Sequence, residues 1–219
     1  MTTTLDNPRS VRFWNRMAPR YARTPIADEA AYAEKLAMTR ELFTPDTRVL
    51  EFGCGTGGTA MLHAPHVAHV HAIDGSEKMI DIARRRTETD GIRGVSFETS
   101  SIEAFDPGMR RFDVVLGLSV MQLVDDRGAV IRKVHELLRP GGHFVTSTPC
   151  IADVLPALRF ITSPLGALGL IPPLQVFTSK ELVDDLVSGG FRIERRWQPG
   201  KRKAVFVVCT GQDESGRAP

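Results

Sequence analysis

The sequence predicts an α/β fold: a seven-stranded, mostly parallel sheet with an antiparallel strand near the C-terminus and helices on both faces. Three observations carry that expectation. From residue 47 onward, short apolar runs alternate with helical patterns, the texture of repeated βα units. The first apolar run opens directly into a glycine-dense turn. The last two runs are separated by the turn-like Pro199-Gly200, and strands joined that closely pair antiparallel. At 219 residues, 42% of them hydrophobic and 25% charged, the chain is long enough for one such core.

Residues 1–46 are expected to form a helical cap. Trp14 and Tyr21, seven apart, share one helical face, and ADEAAYAEKLAMTRELF places Ala30, Ala33, Leu36, Ala37, Met38 and Leu42 near helical spacing until Pro45. The main domain is expected over 47–210. Its strands read as Arg48–Phe52, Val67–Ile73, Val95–Glu98, Phe112–Leu118, His143–Thr148, Phe191–Gln198 and Ala204–Thr210. Helices read as 57–64, closed by Pro65; Ser76–Thr89, with Ser76 as N-cap; Asp125–Leu138; and Ser179–Val187, ended by Gly189-Gly190. Pro140-Gly141-Gly142 reads as the turn into the fifth strand, 151–176 as an apolar insert and 211–219 as a flexible tail.

Composition narrows the function classes. Lys plus Arg number 28 and Asp plus Glu 26, and a net +2 does not imply a polyanion as main partner, so no nucleic acid is expected. Arg84-Arg85-Arg86 and Lys201-Arg202-Lys203 read as solvated faces. Cys54, Cys150 and Cys209 stand too far apart for a disulfide framework or a paired-cysteine zinc site, which suits the cytoplasm. The N-terminal stretch lacks the apolar core of a secretion signal. The insert is interrupted by Asp153, Arg159 and four prolines, so no spanning helix is expected, while peripheral membrane contact stays open. His63, His66, His69 and His71 straddle Pro65 without metal-ligand spacing, and no metal is expected. The oligomeric state has no signature in the sequence.

The strongest local feature is Val49-Leu50-Glu51-Phe52-Gly53-Cys54-Gly55-Thr56-Gly57-Gly58, a strand running through glycines into a helix. Such glycines let a ligand lie directly on the backbone at the strand's carboxyl end. Asp74, at the end of the second strand, is placed to accept hydrogen bonds from both hydroxyls of a ribose. Gly53-x-Gly55-x-x-Gly58 also satisfies the dinucleotide fingerprint. Glu51 separates the two cofactors, because a carboxylate beside the loop repels a pyrophosphate and attracts an ammonium or sulfonium group. That favours S-adenosylmethionine over NAD.

On these residues, with FDVVLGLSVMQLVDD (112–126), LLRPGGHFVTSTP (137–149) and FTSKELVDDLVSGGF (177–191), the chain resembles the class I S-adenosylmethionine-dependent methyltransferases, in particular the small-molecule group of ubiquinone and menaquinone biosynthesis. The resemblance covers residues 47–210 in consistent order and implies a Rossmann-like fold and S-adenosylhomocysteine as product. It implies that Gly53, Cys54, Gly55 and Gly57 receive the methionine portion with Glu51 supporting its charge. Asp74 and Gly75 would hold the ribose, Met79 would pack beside the adenine, and Ser101 and Ile102 would lie near the adenine amino group. Ser101 departs from the acidic residue often found there. Leu118 and Ser119 would border the sulfonium, and Tyr21 would fold over the cofactor.

Methyl transfer from a sulfonium needs alignment above all, and a base only where the acceptor must lose a proton. The histidines are poorly placed for that task. Asp153 and Tyr21 are the catalytic candidates, with Cys150 and Gln122 also on the correct side of the sheet. Leu155, Leu158, Phe160, Ile161, Leu165, Leu168, Leu170 and Ile171 suggest a small hydrophobic acceptor, or else core or a subunit contact. An NAD(P)-dependent oxidoreductase and a non-catalytic S-adenosylmethionine-binding protein are the alternatives. Tyr32 and Lys35 have the wrong spacing for the Tyr-x-x-x-Lys set of a dehydrogenase.

Overall fold

The seven strands form a mixed, mostly parallel sheet. The computed structural model describes residues 8–160 and 174–212, without the side chains of Pro8, Arg159 and Phe160. Positions 161–173 of the expected insert and 213–219 of the expected tail lie outside the described residues. The chain divides into two compact units, 1–106 and 107–219.

The first unit begins with α1 (Pro8–Tyr21) and α2 (Glu29–Arg40), the latter N-capped by Asp28, whose carboxylate accepts the Ala31 N–H at 3.0 Å. Three parallel strands follow in the order β3-β2-β1: β1 (Arg48–Phe52), β2 (His69–Asp74) and β3 (Val95–Thr99). Val49, Leu50, Val70, Ala72 and Ile73 are fully buried, as near-continuous apolar strands of a covered parallel sheet must be. Between β1 and β2 run α3 (Gly58–His63) and a 3-10 turn, Ala64–His66. Pro65 opens that turn and delays β2 to His69, two residues later than the sequence predicts. Between β2 and β3 runs α4 (Glu77–Thr89), capped as expected by Ser76, whose hydroxyl accepts the Met79 N–H at 3.2 Å.

The second unit holds β4 (Phe112–Leu118), α5 (Arg127–Leu137), β5 (Leu138–Thr148), α6 (Ser179–Ser188), β6 (Phe191–Trp197) and β7 (Val205–Gly211), with strand order β4-β5-β7-β6. β7 inserts between β5 and β6 and is antiparallel to both, which matches the antiparallel addition read from the sequence. Asp126 caps α5, and a Thr178/Glu181 capping box starts α6. One boundary differs. β5 begins at Leu138 instead of His143, and its register against β4 jumps from Phe112↔Leu138 to Val114↔His143. Pro140-Gly141-Gly142 is therefore a bulge within the strand, tight enough that a Cβ on Gly142 would lie 2.9 Å from the Arg139 carbonyl.

Candidate cofactor site and acceptor-side strand ends

The glycine loop follows β1 with positive φ at Gly53, Gly55 and Gly57, every second residue. Gly57 shows why no side chain fits: at φ 77° a Cβ would stand 2.7 Å from Phe97 Cε1 and 3.0 Å from Ala83 Cβ. The loop is held from three directions. The Cys54 N–H donates to the Ile73 carbonyl at 3.0 Å, Gly55 N–H donates to Asp74 Oδ2 at 2.8 Å, and the Arg86 guanidinium donates to the Thr56 carbonyl and hydroxyl at 3.3 Å.

Two acids stand at this loop. Asp74 accepts Gly55 N–H on one oxygen and Ser76 N–H, also at 2.8 Å, on the other. An ionised carboxylate has about four acceptor positions, so both oxygens keep capacity for ligand hydroxyls. Burial raises the Asp74 pKa while the two backbone N–H groups pull it down. Glu51 on β1 is only 3% exposed, and its Oε2 has no hydrogen-bond partner among the described residues. Its pKa is pushed up to about 8, by desolvation first and by the charge of Asp74 second. A buried, unsatisfied carboxyl beside a second acid is costly on its own and becomes favourable when a cation arrives. A ligand with a positive group and adjacent hydroxyls fits this donor and acceptor set; a pyrophosphate does not.

α1 covers the loop through its inner face. The position of a Cβ on Gly55 lies 3.5 Å from the ring of Tyr21, and that on Gly75 lies 3.7 Å from Val11 Cγ2. Tyr21 packs edge-on to Trp14 at 6.1 Å, as their shared helical face requires, and remains half exposed. Its phenol pKa is raised, by desolvation and then by Asp74 and Glu51, so it stays protonated near neutral pH. Asn15 accepts the Ser76 hydroxyl at 2.7 Å and tethers α1 to the start of α4. Tyr32, on α2, hydrogen-bonds Thr59 at 2.9 Å at the start of α3 and feels the charge of Glu51. Neither Asn15 nor the Tyr32–Thr59 pair has a local sequence signature, since each joins elements far apart in the chain.

The remaining predicted cofactor residues occupy distinct settings. Met79 and Ile102 are buried at 2% and 4% exposure. The Ser101 hydroxyl accepts Ala104 N–H at 3.2 Å and so caps its own turn. His71 is held by Ser96 and Glu98, at 3.0 and 2.9 Å, and His69 by Ser96 at 2.7 Å. His63 is fully buried with its pKa lowered to about 3, first by desolvation.

In the second unit, Leu118 ends β4 and Ser119 follows it. Ser119 is the one non-glycine residue with positive φ (59°) among the described residues. Its N–H donates to the Ser147 carbonyl at 2.7 Å, and its carbonyl accepts the Gln122 amide at 2.8 Å. Gln122 Oε1 and Ser147 Oγ are buried without partners among the described residues, two polar atoms at the carboxyl ends of β4 and β5. Asp153 is exposed, and both its oxygens accept Ser179 N–H, at 3.2 and 3.1 Å, so its carboxylate anchors the start of α6. Cys150 is buried with its thiol pKa raised to about 12, mainly by desolvation, which makes it a poor base.

A family model described as a methyltransferase domain matches residues 43–168. The chain is 32% identical over 142 residues to a malonyl-[acyl-carrier protein] O-methyltransferase of Enterobacter lignolyticus, covering 65% of this chain and 53% of that protein. It is 36% identical over 101 residues to a ubiquinone biosynthesis O-methyltransferase of Methylocella silvestris, covering 46% of this chain and 39% of that one. The match thus spans about half or less of these relatives' own length. Among solved structures, the N-methyltransferase NodS from Bradyrhizobium japonicum, in complex with S-adenosyl-L-homocysteine, superposes with a TM-score of 0.71 at 17% identity. That alignment covers 94% of this chain and all of NodS, a likeness of fold.

Proposed function

Because the chain belongs to this methyltransferase domain family, we propose that it is an S-adenosylmethionine-dependent methyltransferase acting on a small, hydrophobic acceptor. The observation that carries the reading is Glu51: a buried carboxyl with an unpartnered oxygen at the mouth of a glycine loop, next to a second acid. When bound, S-adenosylmethionine supplies an electrophilic methyl group on a sulfonium that is already activated for in-line displacement.

Gly53, Cys54, Gly55 and Gly57 give the methionine portion a backbone floor, and Glu51 takes its ammonium. Asp74, with Gly75, receives the ribose hydroxyls on the lone pairs that Gly55 and Ser76 leave open. Met79 and Ile102 form an apolar wall for the adenine, with Ser101 at its edge. Tyr21 closes over the loop and excludes water. Its raised pKa favours a role as cover and hydrogen-bond donor over one as base. In the second unit, Leu118 and Ser119 are the residues that the family resemblance sets beside the sulfonium, and Gln122 and Ser147 offer polar atoms for an acceptor. Alignment of this kind contributes roughly 7–11 kcal/mol to such displacements.

Two relatives named as O-methyltransferases support an oxygen as the accepting atom. Its proton then passes to solvent or to Asp153, whose two oxygens share the single Ser179 N–H donor and keep lone pairs open. The hydrophobic character of the acceptor is supported by the apolar composition of the insert, in which Leu155, Leu158, Phe160, Ile161 and Leu165 stand close in sequence. Three buried thiols favour a cytoplasmic setting. Equilibrium dialysis with S-adenosylmethionine and NAD, followed by assay of S-adenosylhomocysteine formation with phenolic and aliphatic acceptors, tests the reading. Retention of NAD alone would overturn it.

A further inference from the structure

α1 carries a second feature, on the face turned away from the glycine loop. Arg9, Arg12, Arg16 and Arg20 recur at intervals of three and four, which places them within an arc of about 80° on the helix. Arg23 follows in the closing turn, where its N–H donates to the Arg20 carbonyl at 3.1 Å. All five are exposed, while Ala18 is buried and Val11, Trp14, Asn15 and Met17 are partly covered. No acidic residue lies within the helix. Arg12, Arg16, Arg20 and Arg23 have no ion pair among the described residues. The stripe is roughly 21 Å long at 1.5 Å per residue. The whole chain has a net charge of only +2, so this is a local concentration of charge.

We propose that the arginine face of α1 docks on an anionic phospholipid surface, with the cofactor loop held behind the docked helix. Charge complementarity is the basis: guanidinium forks bind phosphate oxygens in pairs, and a straight row of them matches an array of headgroups. A docked protein partner is less well suited. Stable protein interfaces centre on buried aromatic or aliphatic anchors, and the aromatic residue that borders these arginines, Phe13, is partly covered and packed edge-on against Trp14 at 5.4 Å, while exposed Pro19 borders the other side. The inner face of α1 is already packed: Val11 lies over Gly75, Tyr21 over Gly55, and Asn15 binds Ser76. Docking is therefore electrostatic, without insertion of the helix, and falls with salt. An apolar acceptor dissolved in the bilayer would then meet the enzyme at the helix that covers its cofactor, but lipid docking itself does not require methyl transfer.

Co-sedimentation of the full chain with phosphatidylcholine vesicles, with and without phosphatidylglycerol, tests this. The chain is expected to sediment with the anionic vesicles only and to be released at about 0.5 M salt. Each arginine near an anionic surface contributes about fivefold, so the Arg12→Gln/Arg16→Gln/Arg20→Gln variant is expected to lose about a hundredfold in partitioning. Thermal unfolding of that variant should match the parent, because the three side chains are exposed. Lys201→Gln/Arg202→Gln/Lys203→Gln removes the same charge elsewhere and is expected to keep vesicle binding. Equal sedimentation with both vesicle types, or equal loss in the two triple variants, would overturn the proposal. So would displacement of the chain from vesicles by a DNA duplex or an acidic protein at lower charge concentration than the lipid.

Discussion

Replacing Glu51 with Gln separates the cost of the site from its use. In the folded chain this carboxyl has its pKa raised from 4.5 to about 8, by desolvation and then by Asp74. The unfolded chain releases the proton near the lower value, while the folded chain keeps it until the higher one. The unfolded state therefore gains stability relative to the folded state as pH rises across that window. At about 1.4 kcal/mol per pH unit, the cost is about 3 kcal/mol at pH 7 and about 5 kcal/mol above pH 8. Glutamine keeps the shape and never ionises. Glu51→Gln is thus expected to stabilise the ligand-free protein by about 3 kcal/mol at pH 7, raising Tm by roughly 6–12 °C for a chain of this size. The advantage should vanish below pH 4.5. The same change removes a charge-assisted hydrogen bond worth about 1.5–3 kcal/mol, of which ionising Glu51 at pH 7 offsets about 1.4 kcal/mol in the parent, so affinity for S-adenosylmethionine should fall by up to roughly 15-fold at pH 7. Urea unfolding at pH 4, 7 and 8.5, with calorimetric titration at pH 7, measures both. A variant that is less stable than the parent, or more stable by the same amount at every pH, would refute the reasoning.

Other perturbations address neighbouring parts of the site. Gly57→Ala meets Phe97 and Ala83 at 2.7 and 3.0 Å in a left-handed backbone; it should destabilise by about 2–4 kcal/mol in urea unfolding and abolish cofactor retention. Ser147→Ala removes a buried hydroxyl without a partner, so stability should be unchanged or higher by up to about 1 kcal/mol, while KM for the acceptor rises. A stability loss above about 2 kcal/mol would show instead that the hydroxyl is paired. Cys54, Cys150 and Cys209 are all buried with thiol pKa values raised chiefly by desolvation. A disulfide reagent at pH 8 should label none of them in the folded chain and all three in denaturant, and rapid labelling without denaturant would contradict the burial.

The parts of the fold that were legible in the sequence are those set by local pattern. β1, β4 and α4 lie within a residue of their predicted spans because apolar runs, Ser76 as cap and the glycine turn are short-range signals. The glycine loop, Glu51 and Asp74 were legible for the same reason, as residue types at fixed offsets from a strand. The contacts that complete the site were not. Asn15 meets Ser76 across 61 residues and Tyr32 meets Thr59 across 27, and nothing near Asn15 or Tyr32 specifies either partner. Asp153 was legible as a candidate base because it follows the fifth strand, but its contact with Ser179, 26 residues away, was not. Pro140-Gly141-Gly142 has the composition of a turn, and only the pairing of Leu138 with Phe112 makes it a bulge.

Calorimetric titration of the parent and of Glu51→Gln with S-adenosylmethionine at pH 7, each in two buffers of different ionisation enthalpy, tests the central claim most directly. Glu51 is mostly protonated in the free protein at that pH, and binding of the cation should ionise it. The parent is expected to release close to one proton more per ligand bound than the variant. Equal proton release from the two proteins, or tight binding of NAD with none of S-adenosylmethionine, would contradict the account.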